Sequence, residues 1–165
     1  MPISTDLAQI RSPKIRALND YWTRIRGDRL APPRAAFDPV DVPLLLPYLK
    51  IVEFEPAPFR VRYRLVGTKV ADLAGIDFTG RYLDEMSFGQ DGDFTACYHL
   101  AFSRKVPVFH RPVWRKDEWA DLVYELGIFP FSEDGVSVDR AVSIDCYDYL
   151  ERHPAGLARL RRPVA

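Results

Sequence analysis

The stretch RYRLVGTKVADLAGIDFTGRYLDEM, residues 62–86, places three glycines directly after a segment that alternates apolar and polar side chains. Glycines after a strand can cradle a phosphate, or they can end helices and shape turns. A phosphate loop needs the pattern G-x-x-x-x-G-K-[ST] or G-x-G-x-x-G. Here Gly67, Gly75 and Gly80 are eight and five residues apart, and Lys69 does not stand where a phosphate-binding lysine would. The spacing argues against a phosphate loop and predicts a strand, a short helix and a turn.

Two predicted strands lead into this stretch, YLKIVEFE at 48–55 and FRVRYRLVG at 59–67. The second strand alternates strictly, which is typical of a half-buried antiparallel strand, so the pair is predicted to form a hairpin. Its apolar face carries Phe59, Val61, Tyr63 and Leu65, and its polar face carries Arg60, Arg62 and Arg64. The acids expected to pair with these arginines across the sheet are Glu53, Glu55, Asp139 and Asp145.

An amphipathic helix is predicted near the N-terminus, in SPKIRALNDYWTRIRG. Ser12 is a natural N-cap, Pro13 suits the first helical position and Gly27 ends the helix. The apolar side chains of this helix form a stripe along one side, which would pack either against the chain's own sheet or against a partner chain. Residues 1–30 are therefore a candidate dimerisation helix of a homodimer, with the interface residues Ile15, Leu18, Trp22 and Ile25.

Further helices are predicted between and after the strands. Asp38 and Pro39 begin a short one, and Thr68 caps another that ends at Gly75. A longer helix covers 93–105, with an apolar face of Phe94, Cys97, Tyr98, Ala101 and Phe102. Three β segments follow at 106–115, 118–131 and 136–149. This order predicts an α+β domain at 31–150, with one antiparallel sheet and helices on one face, and a basic tail at 151–165.

The opening stretch resembles part of the PAS fold, because a strand ends in R-x-x-G-T and is followed by a short helix and G-x-D-x-T-G. The upstream pieces YWTRIRGDRLAPPRAAFDP and LLLPYLKIVEFE also match. The resemblance covers residues 18–148 and is to short, stand-alone bacterial PAS-like proteins. It implies a five-stranded antiparallel sheet whose concave face, with the helices, encloses a pocket.

The resemblance also implies a non-catalytic sensory or regulatory module that binds a small molecule, a protein partner or both in signal transduction. In that fold, aromatic rings and a few polar groups would line the pocket, as small-ligand sites require. The candidate ligand-binding residues are Tyr63, Tyr98, Phe102, His110 and Tyr124. The same side chains would serve equally well as a filled core.

Composition sets broad limits on function. The 23 basic and 23 acidic residues balance, so no overall field favours nucleic acid or anionic lipid. The N-terminus lacks the apolar core of a secretory signal and no apolar run could span a bilayer, so we expect a cytoplasmic protein. The two cysteines and three histidines show no metal-ligand spacing, so no metal site is expected.

Neither haem nor flavin is expected. His99 lies on the long helix, but later along it than the haem ligand of the family, and Cys97 is not followed by the Arg-Phe of the light-sensing flavin motif. The ligand therefore stays unknown.

Two other function classes stay open as alternatives. A small cone-shaped α+β enzyme of the isomerase type would need acid/base groups, and His110 could meet Asp121 or Glu125 on the neighbouring strand. A nucleic-acid-binding module would use the strand face of Arg60, Arg62 and Arg64 with the arginines of the tail.

Overall fold

The computed structural model describes residues 2–86, 93–117 and 120–148, with the backbone alone for residues 113–117 and 120–122. It has three α-helices, α1 (Pro13–Arg26), α2 (Thr68–Ala74) and α3 (Phe94–Arg104). The strands are β1 (Leu49–Pro56), β2 (Phe59–Val66), β3 (Val108–His110), β4 (Val113–Asp117), β5 (Ala120–Val123), β6 (Glu125–Phe131) and β7 (Arg140–Cys146). Residues 87–92 and the predicted basic tail 151–165 lie outside the described residues.

Five strands form one open antiparallel sheet in the order β2-β1-β7-β6-β3. This confirms the α+β class and the five-stranded sheet. The last third of the chain differs from expectation, because the segments 106–115 and 118–131 each divide into two strands. The short pieces β4 and β5 pair only with each other, as a separate two-stranded sheet. Pro112 lies between β3 and β4 and has no N–H to continue a ladder.

Strand β2 alternates as predicted only as far as Tyr63. Its register with β1 shifts there, because Tyr63 pairs with Val52 while Leu65 pairs with Ile51, which leaves Arg64 as the extra residue of a β-bulge. Beyond a bulge the side chains change faces. Leu65 consequently leaves the apolar face on which Val61 and Tyr63 lie, and it is 45% exposed.

Both faces of the sheet are covered, so β6 and β7 are buried along nearly their whole length. The outer face packs against α1 and the inner face against α3. The outer layer includes Leu49, Phe129, Phe131, Val142 and Ile144. The inner layer includes Val52, Val61, Tyr63, Leu126, Ile128 and Ala141. A strand that is buried on both sides has no polar face, which explains why β6 is apolar at every position after Glu125.

Helix α1 has the predicted bounds, and Gly27 ends it with a positive φ of 57°. It docks closely, since a Cβ on Gly127 of β6 would lie 3.0 Å from the Cγ2 atom of Ile15. The Nε1 atom of Trp22 donates a hydrogen bond of 2.8 Å to the Pro130 carbonyl. The predicted cap is wrong in one respect. Ser12 precedes the helix, but its hydroxyl donates to the Asp148 carboxylate rather than capping a helical N–H.

Helix α2 also begins differently from the prediction. Gly67, not Thr68, occupies the N-cap position, because the Gly67 carbonyl already accepts the hydrogen bond from Ala71 N. Gly75 ends the helix in the left-handed conformation, as predicted. No helix among the described residues is both long and apolar enough to cross a membrane.

Candidate functional site

The inner face of the sheet carries polar side chains in the middle of an apolar layer. Strand alternation places Ser143 and Asp145 of β7 on this face, and the register puts Lys50 of β1 opposite Ser143. Helix α3 lies above them. Its N-terminus is fixed by Asp93, whose carboxylate accepts from Ala96 N, and its apolar face turns Tyr98 toward the strands.

Lys50 and Asp145 form a buried ion pair. The Nζ atom lies 2.7 Å and 2.6 Å from the two carboxylate oxygens, and each residue is only 4% exposed. The Tyr147 hydroxyl donates a third hydrogen bond to the carboxylate, of 3.2 Å. The pair is thus solvated by protein groups instead of water.

A second set of hydroxyl groups surrounds Tyr98, which is fully buried. Its hydroxyl lies 2.9 Å from the Ser143 hydroxyl. Lys50 and Tyr63 also interact electrostatically with Tyr98, which connects the ion pair to the other hydroxyls. We call this set the inner-face cluster, with the members Lys50, Tyr63, Tyr98, Ser143, Asp145 and Tyr147.

The protonation states of the cluster follow from its burial. Removal from water raises the pKa of Tyr63, Tyr98 and Tyr147, so these phenols are neutral at physiological pH. Burial alone would lower the pKa of Lys50. The Asp145 carboxylate and the Tyr98 hydroxyl outweigh that effect and hold the Lys50 pKa above its usual value, so the ammonium is charged.

The structure gathers two of the five predicted ligand-binding residues, Tyr63 and Tyr98, in the cluster. Tyr124 lies at its margin, where it packs on Tyr147 at 5.1 Å between ring centroids. Asp145 and burial raise the Tyr124 pKa, burial being the larger cause.

The other two predicted ligand-binding residues lie outside the cluster, although His110 is on the same face of the sheet as Asp145, two strands away. Phe102 packs near the β1–β2 turn, with its ring centroid 5.7 Å from that of Phe54 and 5.2 Å from that of Phe59. His110 is buried on the edge strand β3, opposite Leu126 of β6.

Sequence reasoning missed Lys50, Ser143 and Tyr147 and misassigned Asp145. Asp145 was expected to pair with the arginines of β2, but it binds Lys50 on the opposite face of the sheet. A signal was present, since LKIV and VSIDC each place one charged residue among apolar neighbours. Two opposite charges in two apolar strands point to a buried pair once the strands are known to be neighbours.

Two of the three arginines on the polar face of β2, Arg60 and Arg64, pair with acids of the chain itself. Arg60 donates two hydrogen bonds of 2.8 Å to Asp84, and Arg64 lies 3.4 Å from Glu53, as expected for that acid. Arg60 also stacks on the Tyr82 ring at 3.7 Å. The other expected acids bind different groups, since Glu55 accepts from Tyr82 and Asp139 from Arg140. The charges of Arg60 and Arg64 are therefore committed to acids of the chain itself.

Glu125, one of the two acids proposed to meet His110, is engaged elsewhere. Its carboxylate accepts from the backbone N–H groups of Arg11 and Ser12, at 3.0 and 2.6 Å, and from Arg111 at 2.6 Å. It thereby fixes the chain just before α1. The side chain of Asp121 lies outside the described residues.

The predicted dimerisation stripe packs within the single chain. Ile15, Leu18 and Trp22 are at most 3% exposed against the outer face of the sheet, and Ile25 is partly buried beside them. A partner could reach these side chains only if α1 left the sheet.

Cys97 and Cys146 are free and buried, and burial raises the pKa of each thiol to about 12. Within the part of the chain that the structure describes, no group of three or more His, Cys, Asp or Glu side chains is placed to hold a metal ion.

A family model described as a PAS domain matches residues 10–143, which include α1, α2, α3 and nearly all of the five-stranded sheet. The matched span also contains Lys50, Tyr63, Tyr98 and Ser143. A search of the curated proteins found no match.

Proposed function

The chain belongs to the PAS domain family, and from that premise we propose a sensory or regulatory module of signal transduction. A small ligand would bind under α3 beside the inner-face cluster, and a protein partner would respond to the bound state. The module would act by binding rather than by catalysis, as PAS domains generally do.

The buried ion pair of Lys50 and Asp145 is the observation that carries this proposal. Taking two charges out of water costs several kcal/mol each, and apolar side chains of similar volume often stabilise a core equally well or better. The pair is therefore poorly explained by stability alone. Charged and hydroxyl groups that converge under burial are candidate functional sites, and these groups lie between the sheet and α3, where a PAS-like fold is expected to enclose a pocket.

Native mass spectrometry of the freshly purified protein tests the proposal. We expect a species heavier than the 19.0 kDa chain, which loses a small molecule on denaturation. The absorption spectrum of the released molecule would narrow its identity. A bare chain mass under native conditions, together with no stabilisation by any compound of a metabolite library, would contradict a ligand-binding role.

A homodimer is a separate part of the proposal. Its support is the large apolar stripe of α1, which an exchanged helix could place on the same outer face of a second copy. Deleting α1 would expose the apolar side chains on the outer face of the sheet to solvent, so the oligomeric state should be measured on the intact chain. Light scattering should then give twice 19.0 kDa, whereas the mass of one chain at all accessible concentrations would rule the dimer out.

A further inference from the structure

Residues 2–9, which we call the strap, close one edge of the five-stranded sheet. Strand β3 is the edge strand, and its residue Phe109 exchanges two backbone hydrogen bonds with Ser4, of 2.9 and 2.7 Å. Ile3 packs against the inner layer and Leu7 against the outer layer, so the strap crosses the edge from one face of the sheet to the other. An open edge strand would offer its backbone N–H and C=O groups to another extended chain, and the strap covers these groups on β3.

The strap is held less firmly than the chain that follows it. Its turn is internal, because the Asp6 carboxylate accepts from Ala8 N and the Asp6 carbonyl accepts from Gln9 N. Its side chains are exposed or only partly buried. Breaking the pairing of Ser4 with Phe109 and withdrawing two partly buried side chains would therefore release the strap without disturbing its turn.

The anchor of the chain lies immediately after the strap. Ile10 is fully buried, and the Glu125 carboxylate accepts from the backbone N–H of Arg11 at 3.0 Å. Arg111 donates to the same carboxylate at 2.6 Å and to the carbonyl of Gln9 at 2.9 Å. Release of the strap would therefore stop near Gln9, and α1 would stay on the outer face of the sheet.

We propose that the strap is a releasable cover of a docking edge on β3, and that a protein partner adds an extended segment to the sheet there. In strand addition, backbone hydrogen bonds give affinity and alternate side chains give specificity. The strap shows which segment fits, namely an apolar residue followed by a small hydroxyl residue opposite Phe109, as in Ile3 and Ser4. The inference rests on the proposed function, since it names the surface that the protein partner would bind.

Amide hydrogen exchange of the intact protein tests whether the strap is released. The Phe109 N–H points to Ser4, so in an antiparallel ladder the N–H groups of Val108 and His110 point to β6. After correction for intrinsic rates, we expect the Phe109 amide to exchange at least about tenfold faster than both neighbours, because the strap opens locally. Equal rates for the three amides would mean that the strap leaves only when the sheet unfolds, which would overturn the inference.

Two variants connect this exchange to the strap. Ser4→Pro removes the N–H that donates to the Phe109 carbonyl and changes no core side chain. Loss of one hydrogen bond should speed Phe109 exchange by a further factor of about ten, with Val108 and His110 unchanged. Ser4→Ala is the matched control, because it keeps the backbone donor, and its Phe109 rate should stay close to that of the wild type. Wild-type Phe109 exchange in Ser4→Pro would contradict the role given to the strap.

A synthetic peptide of the strap, PISTDLA from residues 2–8, tests the docking edge. In the intact protein the strap competes with the peptide, so the apparent affinity is reduced by the fraction of molecules whose edge is open. Fluorescence anisotropy of the labelled peptide should show binding to Ser4→Pro that is about tenfold tighter than binding to Ser4→Ala. The same peptide with the substitution Ile3→Asp should bind neither variant.

The outcomes separate this inference from the proposed function. If the peptide binds Ser4→Pro no more tightly than Ser4→Ala, or if the Ile3→Asp peptide binds equally well, the docking edge is wrong. A small molecule retained in native mass spectrometry would then still support the ligand-binding role. A chain that retains no molecule but binds the strap peptide as expected would contradict the ligand-binding role alone.

Discussion

Gly67 lies so close to the loop before β1 that no side chain fits. A Cβ at this position would lie 2.4 Å from the Pro47 carbonyl oxygen and 2.7 Å from that of Leu46, both of them backbone atoms. Because backbone cannot rotate away, we predict that Gly67→Ala lowers the free energy of unfolding by about 3 kcal/mol, at the upper end for overpacking. Urea unfolding measures this.

Gly75→Ala is the control for this prediction. Its site has open space around a Cβ but a φ of 76°, so only the left-handed conformation is strained, at about 1–2 kcal/mol. A Gly67→Ala protein as stable as Gly75→Ala would show that the approach of α2 to the loop is not as close as described.

Lys50 and Asp145 should behave as a unit. Lys50→Met leaves a buried carboxylate without its cation, so we predict a loss of about 3–5 kcal/mol in the free energy of unfolding. The double variant Lys50→Met with Asp145→Leu removes both charges and should recover most of that loss. Urea unfolding of the two single variants and the double variant gives the coupling energy. Additive losses would contradict a buried pair.

At the scale of secondary-structure elements, the bulge in β2 decides which side chains stabilise the sheet. Val61 is 2% exposed, whereas Leu65 is 45% exposed after the change of face. Leu65→Ala removes more carbon than Val61→Ala, yet we predict that it costs less than about 1 kcal/mol, while Val61→Ala costs about 1–2 kcal/mol. Thermal unfolding ranks the two. A larger loss of stability for Leu65→Ala than for Val61→Ala would show that Leu65 is buried on the same face as Val61, and that β2 alternates without a bulge.

Elements with a strong local pattern could be predicted from the sequence. Helix α1 has a proline start, a glycine end and a regular stripe, so its bounds follow from Pro13 and Gly27 alone. The hairpin of β1 and β2 follows from alternation. The bulge at Arg64 does not, because it results from how β1 must pair with β2 and β7 at once.

The candidate site was only half predictable for the same reason. Tyr98 was identified because it lies on the apolar face of a helix. Lys50 and Asp145 were not identified, because they can form an ion pair only if β1 and β7 are neighbours in the sheet. The two residues are 95 positions apart in sequence. Local sequence shows that a charged residue interrupts each strand, but only the strand order brings the two together.

At the scale of the whole molecule, the buried phenols predict how stability depends on pH. Burial raises the pKa of Tyr63, Tyr98, Tyr124 and Tyr147 above the usual 10.0, and the Lys50 pKa also lies above its usual value. Above about pH 10 the unfolded chain would lose protons that the folded chain retains, so the free energy of unfolding should fall as pH rises.

Urea unfolding between about pH 8 and pH 11 checks this sign, with phenolate absorbance recorded in parallel. The free energy of unfolding should be steady at the lower end and fall beyond about pH 10, and the buried tyrosines should ionise only as the chain unfolds. A free energy that rises with pH in that window would mean that these phenols are not buried in the folded protein.

The proposed function requires a ligand that binds between α3 and the inner face of the sheet. Protein-observed NMR with a fragment library measures this most directly. We predict binders whose amide shifts concentrate on α3 and on the inner-face positions of β1 and β7, around Lys50, Ser143 and Asp145. Shifts confined to the outer face beneath α1, or no binder at all, would contradict it.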